Sequence, residues 1–131
     1  NRVQTVLVAD DDADLRRVVS RELKRLGHRT VEAEDGRQAI ERVFEHPVDL
    51  ILLDVRMPRM DGMVTLEALR ASPPTRNIPV ILMTGDELML QSRVADRDED
   101  SDTEMLSKAM SPRDLASMIH RALQAQGVSG A

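Results

Sequence analysis

The sequence predicts an α/β domain: a doubly wound, five-stranded parallel sheet with five flanking helices. Three observations carry this. Short apolar runs alternate five times with helically spaced apolar residues along 131 residues, as in strand–helix–strand units joined by right-handed crossovers. The run over residues 48–53 is almost continuously apolar, as a strand covered on both faces requires. The first and third runs stop at aspartates, and the carboxyl ends of strands are where such a sheet gathers its functional groups.

The first strand covers residues 6–9 and stops at Asp10, Asp11 and Asp12. Leu15, Val18, Val19, Leu23 and Leu26 then recur at helical spacing, and Gly27 ends that helix. A weaker extended stretch over residues 30–33 leads through Asp35 and Gly36 into a second helix on Ala39, Ile40, Val43 and Phe44, with a break at Pro47. The third strand ends at Asp54. Pro58, Asp61 and Gly62 form a loop, and Val64, Leu66, Ala68 and Leu69 mark a third helix closed by Ser72, Pro73 and Pro74. Residues 80–83 form the fourth strand, ending at Thr84 and Gly85. Beyond it the fourth helix (residues 88–95) and a short fifth strand (residues 105–107) are expected to be irregular, because residues 95–104 hold six acidic side chains and one arginine. A last helix runs through Leu115, Ile119 and Leu123, with Ser111 as N-cap and Pro112 at the first turn. Residues 1–125 read as one domain and residues 126–131 as a tail or linker stub.

Composition narrows the function. A net charge of -5 argues against a domain whose task is to neutralise nucleic-acid phosphates, so no direct nucleic-acid partner is expected. With no cysteine there is neither a disulfide framework nor a thiol nucleophile. There is no long apolar span and no signal-peptide pattern, so no membrane association is expected and the cytoplasm is the default location.

In a doubly wound sheet the strand ends bring Asp10, Asp11, Asp54, Thr84 and Lys108 to one crevice. Carboxylates gathered without His or Cys repel one another unless a cation intervenes, and oxygen ligands suit a hard ion such as magnesium. One carboxylate beside such an ion can attack phosphorus to give an acyl phosphate, while a positive side chain neutralises charge on the transferring group. Asp54 is the nucleophile of choice because it closes the most buried strand. Lys108 supplies the charge and Thr84 a hydroxyl for a phosphoryl oxygen. Lys24 and Lys108 are the only lysines, against sixteen arginines.

The sequence resembles the response-regulator receiver domain, the phosphoacceptor half of two-component signalling (CheY-like superfamily). The match runs through Val6-Leu7-Val8-Ala9-Asp10-Asp11-Asp12, Leu50-Ile51-Leu52-Leu53-Asp54-Val55-Arg56-Met57-Pro58-Arg59-Met60-Asp61-Gly62, Pro79-Val80-Ile81-Leu82-Met83-Thr84-Gly85 and Ser107-Lys108. The resemblance implies a flavodoxin-like fold with strand order 2-1-3-4-5. It further implies magnesium bound by Asp11, Asp54 and the backbone carbonyl of Arg56, with help from Asp10, and a phosphohistidine donor on a sensor histidine kinase or histidine phosphotransfer protein. Arg56 and Asp86 fall where the family tunes loss of the phosphoryl group. Such a domain is a signalling switch rather than an enzyme for external substrates, although it catalyses its own aspartyl phosphorylation and dephosphorylation. A homodimer through the fourth helix, fifth strand and fifth helix is the form the family would give it.

Two positions depart from the pattern. Lys108 is followed by Ala109 where the family usually has proline in a cis peptide, so a trans bond is expected, since a non-proline cis bond costs about 2.5 to 4 kcal/mol. Met105 stands where a switching Tyr or Phe is common, and Phe44 is the one aromatic residue. These departures motivate a second reading, a degenerate receiver acting as a constitutive interaction or dimerisation module. A magnesium-dependent phosphatase is a third, lacking any evident substrate cap. Asp96, Asp98 and Asp100 alternate as in a calcium loop but lack its glycine and closing glutamate, so they read as a solvated acidic loop. Arg16, Arg17, Arg21, Lys24 and Arg25 read as a solvated helix face. His28, His46 and His120 show no ligand spacing and read as surface residues.

Overall fold

The computed structural model describes residues 3–95 and 103–129. Strands and helices alternate in the order β1 (Thr5–Ala9), α1 (Ala13–Arg25), β2 (Arg29–Ala33), α2 (Gly36–Glu45), β3 (Leu50–Asp54), α3 (Gly62–Ala71), β4 (Val80–Thr84), α4 (Glu87–Ala95), β5 (Thr103–Ser107) and α5 (Pro112–Ser129). The strands pair in parallel in the order β2-β1-β3-β4-β5. The chain moves to one edge after β1 and crosses to the other side at β3. The crevice where strand order reverses therefore opens between the ends of β1 and β3.

Strand alternation divides the core into two layers. Val6, Val8, Leu50, Leu52, Ile81 and Met83 pack with Val19 and Leu23 of α1 and Leu115, Ile119 and Leu123 of α5. Leu7, Ala9, Ile51, Leu53, Val80 and Leu82 pack on the other side with Ala39 and Val43 of α2 and Leu69 of α3. Each fully buried leucine or valine here contributes about 1.5 to 3 kcal/mol relative to exposure.

Acidic caps start three helices. The carboxylates of Asp12, Asp35 and Asp61 accept N–H groups from the first turns of α1, α2 and α3, each cap contributing about 1 kcal/mol. Ser111 does the same for α5, accepting from the Asp114 N–H at 3.1 Å. Gly27 leaves α1 at φ 95°, a left-handed conformation that glycine adopts without steric cost.

Some expectations need correction. α4 and β5 are regular where described, with β5 in register with β4 over all five residues. α5 runs on to Ser129, so residues 126–129 continue a helix where a tail was expected; an interior Gly127 costs only about 1 kcal/mol, too little to stop it. Phe44 is 58% exposed, because α2 meets the sheet through Ala39 and Val43 and the next residue turns away. The acidic stretch holding Asp96, Asp98 and Asp100 lies outside the described residues. Among the described residues no helix is long and apolar enough to cross a membrane.

His28 is buried rather than superficial. Its Nε2 lies 2.8 Å from Nδ1 of the half-buried His120, so a single proton between them satisfies both nitrogens. Burial, and then the nearness of His120, push the His28 pKa below its ordinary value. The unfolded chain therefore binds a proton near pH 6.5 that the folded chain refuses, so stability falls as pH drops below about 6.5. Denaturant midpoints compared between about pH 7.5 and 5.5 should fall more in the wild type than in His28→Gln, whose amide can donate to His120 without titrating.

Candidate acidic metal centre

Three successive aspartates after β1 have three different surroundings. Asp10 is 5% exposed, and its carboxylate accepts the Asp12 N–H at 2.9 Å. Its own N–H donates to the Ala33 carbonyl of β2 at 3.1 Å, and its carbonyl accepts from Arg16 Nη1 at 2.7 Å. Asp11 is exposed at the rim of the crevice. Asp12 is occupied as the α1 cap, accepting from Asp14 and Leu15.

Asp54, 2% exposed, ends β3 directly opposite. One of its oxygens accepts the Arg56 N–H at 3.3 Å, and the other meets Lys108 Nζ at 3.0 Å. The same ammonium lies 3.4 Å from Asp10. Lys108, expected at the last strand end, thus points into the crevice. It is carried there by its own N–H, which donates to the Thr84 carbonyl at 2.8 Å. The Lys108–Ala109 bond is trans, and the Ser107 hydroxyl accepts the Ala109 N–H at 3.0 Å.

Thr84 is buried and lines the same cleft, a space of about 490 Å³ bounded also by Asp11, Asp54, Arg56, Gly85, Asp86 and Lys108. Its hydroxyl oxygen accepts the Asp86 N–H at 3.0 Å, which leaves its own proton free to donate. Asp86 turns its carboxylate to α4 instead, accepting from Leu88 and Met89. Asp11, Asp54, Arg56, Thr84 and Lys108 therefore line one cleft, and Asp10 lies behind it, joined to Asp54 through the Lys108 ammonium that contacts both.

The electrostatics follow from burial. Desolvation, opposed by the Asp12 N–H and reinforced by the negative charge of Asp54, raises the pKa of Asp10 to about 6, with Lys108 acting downwards. Burial also works against the Lys108 ammonium. Its hydrogen bond to Asp54 and the charges of Asp10 and Asp54 outweigh that, and its pKa is held above the ordinary value. Carboxylate oxygens of Asp10, Asp11 and Asp54 come within 4.8 Å of one another. Such a set, all oxygen and all anionic, fits a hard divalent cation that keeps part of its water.

Sequence reasoning missed the residues that brace this cleft from β2, which itself contributes no lining group. Arg16 bridges the Asp10 carbonyl and Glu32. Arg59, in the loop after β3, donates from Nε to the buried Asp35 carboxylate at 2.6 Å. Asp35 is held below the usual carboxylate range by the Gln38 N–H and, against burial, by Arg59. Gly36 donates to the Met60 carbonyl at 3.1 Å and Gly62 to the Val55 carbonyl at 2.8 Å. The signal available was the pair of Asp-Gly dipeptides, Asp35-Gly36 and Asp61-Gly62, which the sequence offers only as turn or helix-start residues.

The sequence profile described as "Response regulator receiver domain" matches residues 6–120. The chain is 32% identical to the "Response regulator receiver protein CpdR" of Brucella abortus over 121 residues, 92% of this chain and 98% of that protein. It is 43% identical over 79 residues, 60% of this chain, to the "Transcriptional regulatory protein ZraR" of Escherichia coli, but spans only 18% of that longer protein. Among solved structures, chemotaxis protein CheY4 of Vibrio cholerae superposes with a TM-score of 0.77 at 28% identity, covering 92% of this chain and 98% of CheY4.

Proposed function

We propose, starting from the fact that this chain belongs to the response regulator receiver domain family of two-component signalling, that its Asp54 carboxylate accepts a phosphoryl group from a phosphohistidine on a sensor histidine kinase or histidine phosphotransfer protein. The observation that carries the reading is the contact of Lys108 Nζ with Asp54 at 3.0 Å, beside Asp10 and inside a cleft that Asp11 and Thr84 also line. Asp10, Asp11, Asp54 and the Arg56 backbone carbonyl would hold magnesium, which supplies charge neutralisation for the transferring group.

In the transfer an Asp54 oxygen forms a bond to phosphorus as the phosphorus–nitrogen bond of the donor breaks, and the electron pair leaves with the imidazole. Lys108 then exchanges its carboxylate partner for a phosphoryl oxygen, and the Thr84 hydroxyl donates its free proton to another. The aspartyl phosphate carries about two negative charges where the carboxylate carried one, and its three phosphoryl oxygens accept hydrogen bonds, which changes which partners the surface favours. The face made by α4, β5 and α5 would carry a partner or a second copy, and Met105, half-buried in the α2–α3 layer, would repack where an aromatic ring is common. The cytoplasm is the expected location, and the domain acts as a switch.

Incubating the protein with acetyl phosphate and magnesium should add one phosphoryl group, read by intact mass, with no adduct on Asp54→Asn. A folded wild-type protein that gains no adduct at saturating donor would sink the proposal and leave the constitutive interaction module in its place.

A further inference from the structure

Arg59 is the one non-glycine residue at positive φ among the described residues, at 66°. A side chain in that region is strained and persists only where its surroundings over-determine it. Here the surroundings are a buried carboxylate. Asp35 is 2% exposed, yet it accepts the Arg59 Nε at 2.6 Å as well as the Gln38 N–H at 2.8 Å, and Glu34 approaches the same guanidinium at 3.5 Å. A half-exposed ion pair contributes little to stability by itself, so its place matters more than its strength. It joins the start of α2 to the middle of the loop between β3 and α3. That loop includes Arg56, whose N–H meets Asp54, and Asp61, which caps α3. Two backbone bonds flank the pair, Gly36 to Met60 and Gly62 to Val55.

We propose that the Asp35–Arg59 pair is a clasp that fixes the 55–61 loop so that Arg56 lines the cleft beside Asp54, making Asp35 and Arg59 positioning residues for cation binding at the acidic centre. This rests on the reading of the cleft given above. The clasp acts through the backbone: it holds Arg59 in a conformation it would otherwise leave, and the carbonyls and N–H groups on either side follow.

Two substitutions that remove the same charge separate this from a simple electrostatic effect. Arg59→Ala removes the clasp and keeps the strain. Arg59→Gly removes the clasp and abolishes the need for it, since glycine takes positive φ freely. Magnesium binding by isothermal titration calorimetry should weaken about tenfold in Arg59→Ala, the range found when groups behind metal ligands are lost, and recover most of that in Arg59→Gly. Asp35→Asn keeps the α2 cap and should behave as Arg59→Ala. In metal-free protein, amide exchange at Gly36 and Gly62 should speed up in Arg59→Ala and return towards the wild-type rate in Arg59→Gly.

Wild-type binding in Arg59→Ala, or binding in Arg59→Gly as weak as in Arg59→Ala, would overturn the clasp. A wild-type protein that binds no magnesium would instead remove the function proposed above. The exchange measurement then decides the clasp alone, and unchanged Gly36 and Gly62 amides in Arg59→Ala refute it.

Discussion

Lys108→Ala is expected to tighten magnesium binding several-fold while slowing phosphorylation by a small donor about 100- to 1,000-fold, the range typical of losing one group that stabilises transition-state charge. The opposite signs come from one ammonium with two roles. At rest Lys108 is the counterion of Asp10 and Asp54, at 3.4 and 3.0 Å, and it competes with any cation for the same oxygens. Without it the carboxylates repel one another more strongly, and a divalent ion becomes the group that relieves them. Yet the phosphoryl oxygens would then lack the positive side chain they need as charge develops. Calorimetric titration with magnesium and the time course of adduct formation by intact mass measure the two effects separately. Parallel loss of both would mean that Lys108 only shapes the cleft.

Gly62→Ala should be strongly destabilising, costing about 2 to 3 kcal/mol, or on the order of 10 °C in Tm for a domain of this size. A Cβ at Gly62 would overlap the Asp54 carbonyl oxygen and lie 2.8 Å from the Val55 Cα. Both are backbone atoms of the segment that carries Asp54, so the clash cannot be relieved by turning a side chain. The end of β3 must move, and magnesium binding should weaken with it. Gly85→Ala is the matched control, because its Cβ would meet nothing within 4 Å, and it should stay within about 0.5 kcal/mol of wild type. Melts followed by far-UV circular dichroism suit a chain without Trp or Tyr.

The strand ends were legible because two-sided burial demands unbroken apolarity, and the first polar residue marks where the strand leaves the core. That logic located Asp10, Asp54 and Thr84. It could not assign the three aspartates after β1, since cap, buried carboxylate and rim ligand are the same residue type in adjacent positions. His28 and His120 lie 92 residues apart, and no periodicity connects them. Arg59 was hidden for a different reason. Positive φ is advertised by glycine or asparagine, whereas here an arginine is held there by a carboxylate 24 residues earlier. Phe44 shows the limit of helical spacing, which identifies an apolar stripe but not where its edge falls.

The alternation that splits the core also sorts the cleft. Asp10 continues the parity of Val6 and Val8, Asp54 that of Leu50 and Leu52, and Lys108 that of Leu106, all in the layer under α1 and α5. Thr84 continues the parity of Val80 and Leu82, in the layer that also holds Met105 and Met89. Side chains rooted in both layers therefore meet in one cleft where the strands end. A phosphoryl group on Asp54, as proposed, would touch side chains anchored in both layers at once.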